Sequence, residues 1–223
     1  MSSTVSLSSS NMSFQPGHVQ HSWVPSHHPS RTLRLHDGNQ AAECSDRLLP
    51  QQQQQTPMFY YFAYGSCMCP VDLKRSLGEK THIYVIGPAT LKGYRLGFYC
   101  YSSLRNCGVL DVVKDPTGSV EGVLYQLPWR LSARLDEREL VHQGDYRHEL
   151  VDIYSHDQLY KDVRTYVVVD KLAEELAPND WYFNVVLRGA VTCGLPEQYC
   201  WNLFDHMHQL QQRHWGTQSL RSA

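Results

Sequence analysis

The stretch Phe59-Tyr60-Tyr61-Phe62-Ala63-Tyr64 sets five aromatic side chains and an alanine in succession and stops at Gly65-Ser66. Aromatic residues favour extended backbone and gain most from leaving water, so this run reads as a strand buried on both faces. What precedes it differs in kind. Residues 1–57 are rich in Ser, His, Gln and Pro, include five glutamines at Gln51 to Gln55, and hold only scattered Leu and Val. Such a segment cannot offset its ordering entropy by burial. The chain therefore reads as a disordered tail over 1–57, a folded domain over 58–212 and a polar tail over 213–223.

Charge narrows the class. Twenty Lys and Arg against 22 Asp and Glu leave a net charge of -2, which offers no bulk attraction to phosphate backbones or anionic lipid. Nucleic-acid and membrane partners are not expected. No apolar run approaches the length of a membrane span, and Met1 to Ser13 lacks a basic, then apolar, leader. The seven cysteines are odd in number and form no C-x-x-C, which fits free thiols in the cytoplasm. Cys67 and Cys69 make a single C-x-C without the second pair a zinc site needs, so no metal is expected.

Along 58–212 the pattern predicts a short helix over 70–77, opened by Pro70 and closed by Gly78. Strands are expected over 83–86, 89–99 and 107–113, a turn at Asp115-Pro116-Thr117-Gly118, and a further strand over 120–127. A helix over 129–141 follows, then strands over 146–154 and 162–169 around Ser155-His156-Asp157. Helices over 180–191 and 197–212 flank Gly194-Leu195-Pro196. Strands precede the terminal helices without βαβ alternation, so the expected class is α+β, a small mixed, largely antiparallel β-barrel with flanking helices.

Two places carry candidate chemistry. The loop Tyr64-Gly65-Ser66-Cys67-Met68 joins a buried strand to a helix start, where backbone N–H groups converge on an anion. A strand-to-helix turn needs glycine for geometry alone, so ligand loop and structural turn both stay open. The second place is Leu135-Asp136-Glu137-Arg138-Glu139. At about 100° per residue, Glu139 falls within roughly 40° of Leu135, so it is the carboxylate that faces inward. Read as a solvated face, the same acids pair with Arg134 and Arg138.

Phe62-Ala63-Tyr64-Gly65-Ser66, Glu121-Gly122-Val123-Leu124-Tyr125 and Leu135-Asp136-Glu137-Arg138-Glu139, with Tyr146 seven residues on, resemble the γ-glutamylcyclotransferase family in order and spacing. Arg164-Thr165-Tyr166, Tyr182 ahead of Gly189-Ala190, and Gly194-Leu195-Pro196-Glu197-Gln198-Tyr199 resemble its C-terminal segments. The resemblance implies a mixed α/β barrel and an enzyme that releases an amino acid or amine from a small-molecule γ-glutamyl compound while closing the glutamyl part into 5-oxoproline. It implies no metal or organic cofactor. It implies Glu139 as acid/base, backbone binding by Tyr64, Gly65, Ser66, Cys67 and Met68, and Tyr146, Tyr166 and Tyr182 around the pocket.

Two residues depart from the family pattern. Cys67 stands where an Asn is usual, and Leu140 follows Glu139 where a Gly is usual. Leucine lacks the φ freedom of glycine, so the helix is expected to run one residue further and to shift Glu139.

The implied nucleophile is the substrate's own α-amine. Holding the chain folded makes its attack on the γ-carbonyl intramolecular. A carboxylate near pKa 4.3 is a poor acceptor from an ammonium near 8, and burial narrows such a gap from both sides. Loop N–H groups would stabilise either the carbonyl oxygen or the α-carboxylate. Two alternatives stand beside this reading. Ser66 or Cys67 attacks as a nucleophile with His142 or His148 as base, or the domain binds a γ-glutamyl metabolite without catalysis.

Overall fold

A computed structural model of the chain describes residues 56–221, with side chains as far as Arg213. The expected tail over 1–57 lies almost wholly outside the described residues. Strands β1 (Met58–Ala63), β2 (Val85–Ser102), β3 (Cys107–Pro128), β4 (Tyr146–Ser155) and β5 (Gln158–Val168) close a barrel in the order β1-β3-β2-β4-β5. Only the β1–β5 pairing is parallel; β1–β3, β2–β3, β2–β4 and β4–β5 are antiparallel. The mixed, largely antiparallel barrel expected from the sequence is the fold.

The aromatic run explains itself in this setting. β1 lies between β3 and β5, and Tyr61, Phe62 and Ala63 are all buried, so both faces of its second half are shut off from water, while Met58 at its start is exposed and Tyr60 half-buried. Phe62, Leu124, Tyr125 and Leu127 are wholly buried within the β1–β3 pairing and its core. Each such side chain contributes about 1.5–3 kcal/mol by leaving water.

Helices α1 (Pro70–Leu77), α2 (Ser132–Arg138), α3 (Asp180–Thr192) and α4 (Glu197–Arg221) flank the barrel. Pro70 opens α1 and Gly78 closes it at φ +73°, a value glycine reaches at little cost. α3 buries Tyr182, Val185, Val186 and Ala190, and presses Gly189 onto the loop after β1. A Cβ at Gly189 would stand 2.6 Å from the Cys69 nitrogen, so only glycine admits this approach. That contact fixes the loop from behind.

Several sequence boundaries change. Asp115-Pro116-Thr117-Gly118 does not end a strand: β3 runs through it, and the register jumps from Tyr94↔Lys114 to Lys92↔Ser119. The turn chemistry is absorbed as a bulge, with Thr117 N–H and Oγ1–H both donating to Asp115 Oδ1 at 3.0 and 2.9 Å. Residues 81–84 form a 3-10 turn ahead of β2. β5 begins at Gln158, with Asp162 at φ +53° where the β4–β5 register shifts. α4 continues to Arg221, past the expected end at Gln212.

Candidate active site

β1 delivers Tyr64 and Gly65 to one end of the barrel, where Ser66–Met68 turns as a 3-10 helix into α1. The turn's own hydrogen bonds start at Met68, whose N–H donates to Gly65 O at 3.0 Å, followed by Cys69 N–H to Ser66 O at 3.1 Å. The N–H groups of Ser66 and Cys67 precede the first of these bonds. Tyr125 Oη–H donates to the carbonyls of Cys67 and Met68 at 3.1 and 3.0 Å, holding the turn from the core side. Gly65, Ser66 and Cys67 line a cavity. Met68, included in the expected binding loop, is instead wholly buried, and its N–H is spent on the turn. It supports the loop and does not line the cavity.

Glu139 reaches the same cavity from the end of α2. The helix does not run further, contrary to expectation. Leu140 adopts φ +52°, ψ +38°, the left-handed conformation glycine would take there, and the carbonyl of Leu140 accepts from Gln143 N–H at 3.0 Å. The chain thus keeps the bend and accepts the strain, about 1–3 kcal/mol for a non-glycine residue. Glu139 N–H still bonds to Leu135 O at 3.1 Å, which preserves the angular relation that points the carboxylate inward. Its side chain is 17% exposed, and Oε1 accepts from the Cys67 thiol at 3.0 Å.

Arg138 is the residue sequence reasoning missed. Its place beside two glutamates on a helix suggested a solvated partner. Its side chain is instead 6% exposed and ion-paired with Asp72, itself 5% exposed, at 2.6 Å. The same guanidinium donates to Ser66 Oγ at 2.9 Å, to Cys67 Sγ at 2.9 Å and to Ser76 Oγ, and lies 3.5 Å from Glu139 Oε1. One planar fork therefore ties α1, the loop and α2 together. Asp72 in the first turn of α1 gave no distinguishing sequence signal.

Cys67 is not set up as a nucleophile. Burial pushes its thiol up to about 12, against the pull of the Arg138 guanidinium, and the Glu139 carboxylate adds to the rise. It is a neutral S–H donor. Neither expected base attends it: His148 Nε2 pairs with Asp136 Oδ1 at 2.6 Å, and His142 is exposed in the turn after Leu140.

The three expected tyrosines, with Tyr64, line the cavity. One residue of β3 holds two of them: Tyr146 Oη–H donates to Leu110 O at 3.0 Å, and Leu110 N–H donates to Tyr182 Oη at 3.1 Å. The next residue, Asp111, is wholly buried, accepts from Val168 N–H at 2.9 Å and pairs with Lys171, which ties this part of β3 to the end of β5. Tyr64 Oη–H donates to Tyr166 O at 2.6 Å, and Tyr166 Oη–H donates to Asp136 at 2.6 Å. Burial raises the pKa of all four phenols, so they remain O–H groups. Tyr61, overlooked in the sequence because the aromatic run reads as core, lines the cavity too, stacked on Tyr125 at 6.1 Å.

Residues 119–203 match the AIG2-like family. Bacillus subtilis YkqA, whose own assignment as a γ-glutamylcyclotransferase is provisional, is 35% identical over 151 residues, 68% of this chain and 53% of YkqA. The chain belongs to the γ-glutamylcyclotransferase-like family. Mouse γ-glutamylcyclotransferase is 26% identical over 155 residues, 66% of this chain and 77% of the mouse protein. The crystal structure of YkqA superposes with a TM-score of 0.64 at 33% identity, over 69% of this chain and 55% of that one. A γ-glutamyl cyclotransferase structure at 24% identity gives 0.60 over 66% of this chain and 86% of that one, which shows the same fold. The chain spans about half the length of YkqA.

Proposed function

We propose that this family member is a cyclising enzyme: it releases an amino acid or amine from a γ-glutamyl compound and leaves 5-oxoproline, with Glu139 as general acid/base. The observation that carries this reading is the meeting of two separate segments. Glu139 and the Gly65–Cys67 turn line one cavity, and the carboxylate is 17% exposed and hydrogen-bonded across to the turn.

In this reading the γ-glutamyl chain lies folded against the turn, so that its α-nitrogen meets its own γ-carbonyl. Glu139 takes a proton from the α-ammonium. The new C–N bond closes the five-membered ring, and the amide C–N bond breaks as Glu139 returns the proton to the departing nitrogen; the second proton shed by the ring nitrogen passes to the same amine, which leaves as an ammonium. The leading N–H groups of Ser66 and Cys67 donate to an anionic oxygen of the substrate. The buried phenols serve as O–H donors at neutral pH and take no part as bases.

The six described cysteines are free, which supports placement in a reducing compartment, the cytoplasm. Among the described residues no helix is long and apolar enough to cross a membrane.

Purified protein incubated with a panel of γ-glutamyl amino acids and amines tests the reading by mass spectrometry. The expected result is 5-oxoproline and free amine in equal amounts. Glutamate plus amine would indicate hydrolysis, and saturable binding without product would indicate a metabolite-binding module.

A further inference from the structure

The cavity does not end at Glu139. Arg105, Arg138 and Leu140 line it and also line an adjoining groove, whose walls add Leu104, Asn179 and Trp181. Leu104 is 79% exposed and Trp181 46% exposed, so neither is there to fill the core.

Arg105 sits on the turn between β2 and β3 and is fastened by its backbone from two sides. Its N–H donates to Ser102 Oγ at 3.3 Å, and its carbonyl accepts from Asn179 Nδ2 at 2.7 Å. Asn179 is in turn fixed as the cap of α3, accepting from Tyr182 N–H at 2.8 Å. The guanidinium lies 5.9 Å from the centre of the Tyr182 ring. Among the described residues no carboxylate forms an ion pair with it, whereas Arg138, the other cation at this boundary, is committed to Asp72. A half-buried guanidinium on a fixed turn, without an anion and flanked by exposed apolar side chains, matches a ligand with a carboxylate next to an apolar body.

We propose that Arg105, Trp181 and Leu104 form the subsite for the departing half of the substrate and favour a leaving amino acid with a free carboxylate and a large apolar side chain over an amine without the carboxylate. This rests on the cyclisation reading. With the glutamyl half folded between the Gly65–Cys67 turn and Glu139, the portion beyond the amide nitrogen extends past Arg105 into the groove. Glu137 lines the same groove and opposes an acidic side chain there.

The full-length protein is assayed for 5-oxoproline release from γ-glutamyl-L-phenylalanine and from γ-glutamyl-phenethylamine, which differ by one carboxylate. The wild-type protein is expected to prefer the acid by about tenfold or more in kcat/KM, the scale of a hydrogen bond to a charged group. Arg105→Met, or Arg105→Gln should that variant fold poorly, is expected to bring the two substrates within about twofold of each other. Trp181→Ala is expected to lower kcat/KM for γ-glutamyl-L-phenylalanine about fivefold relative to γ-glutamyl-glycine, as for loss of an aromatic contact. An acid preference that is absent, or unchanged when Arg105 is replaced, overturns the subsite and leaves cyclisation standing. Release of 5-oxoproline from no γ-glutamyl compound overturns both.

Discussion

The Cys67 thiol donates to Glu139 Oε1 across 3.0 Å, joining the loop after β1 to the end of α2, 72 residues away in sequence. Cys67 takes the place of an amide side chain in the family pattern, yet it supplies a donor at the carboxylate. Its sulfur accepts from Arg138 Nε at 2.9 Å, so the thiol sits between the cation and the acid.

A thiol pushed up to about 12 stays protonated through neutral pH. Cys67 is therefore expected to resist iodoacetamide at pH 8 in the folded protein, and Cys67→Ala, which removes the donor to Glu139 and the acceptor for Arg138, should retain turnover within about tenfold. Peptide mapping after alkylation checks the first and a 5-oxoproline assay the second. Rapid labelling of Cys67 with matching loss of activity would point to a thiol nucleophile.

The same shift sets an alkaline limit on stability. The folded pKa lies above the unfolded value of 9.0, so between about 9 and about 12 the unfolded chain loses this proton while the folded protein keeps it. The contribution is fully present below pH 9 and is lost as pH rises towards 12. Urea unfolding at pH 8, 9.5 and 10.5 should show falling stability, and the fall should be shallower in Cys67→Ala.

The buried Arg138–Asp72 pair is expected to be costly to break from one side. Arg138→Met and Asp72→Asn should each lose about 3–5 kcal/mol, because the remaining charge is left without its partner, and the double variant should lose less than their sum. Arg138→Lys should not rescue turnover, since an ammonium cannot reach Ser66, Cys67 and Asp72 as a planar fork does. Thermal melts and turnover measured in parallel check both statements.

Leu140 holds a glycine conformation at φ +52°. Leu140→Gly should keep stability within about 1 kcal/mol, strain relief offsetting lost contacts and added chain entropy. Leu140→Ile, nearly equal in volume, should cost about 1–3 kcal/mol because β-branching is least compatible with positive φ. A larger loss in the glycine variant than in the isoleucine one would contradict this account of the bend.

Much of the barrel was legible because its signals are local. The aromatic run, Pro70 with Gly78, and the His156-Asp157 turn each fix their own backbone. The limits of that reading have a common cause. Asp115-Pro116-Thr117-Gly118 has turn chemistry, but its flanking strand residues keep pairing with β2 and make it a bulge. Leu140 lacks the propensity for its conformation, and the tertiary contacts on either side of it impose the bend. In the site, Glu139 was legible from its angle to Leu135, whereas Arg138 was not, because the partners that bury it, Asp72, Ser66 and Ser76, lie 62 to 72 residues away.

The most direct test of the account is Glu139→Gln, which keeps the shape of the side chain and the acceptor for Cys67 but removes the proton shuttle. Substrate binding by calorimetry should stay within a few-fold of wild type, while 5-oxoproline release should fall by about 10²–10⁴, the usual worth of a general acid/base. Turnover equal to wild type would contradict the role given to Glu139 and, with it, the mechanism built on that carboxylate.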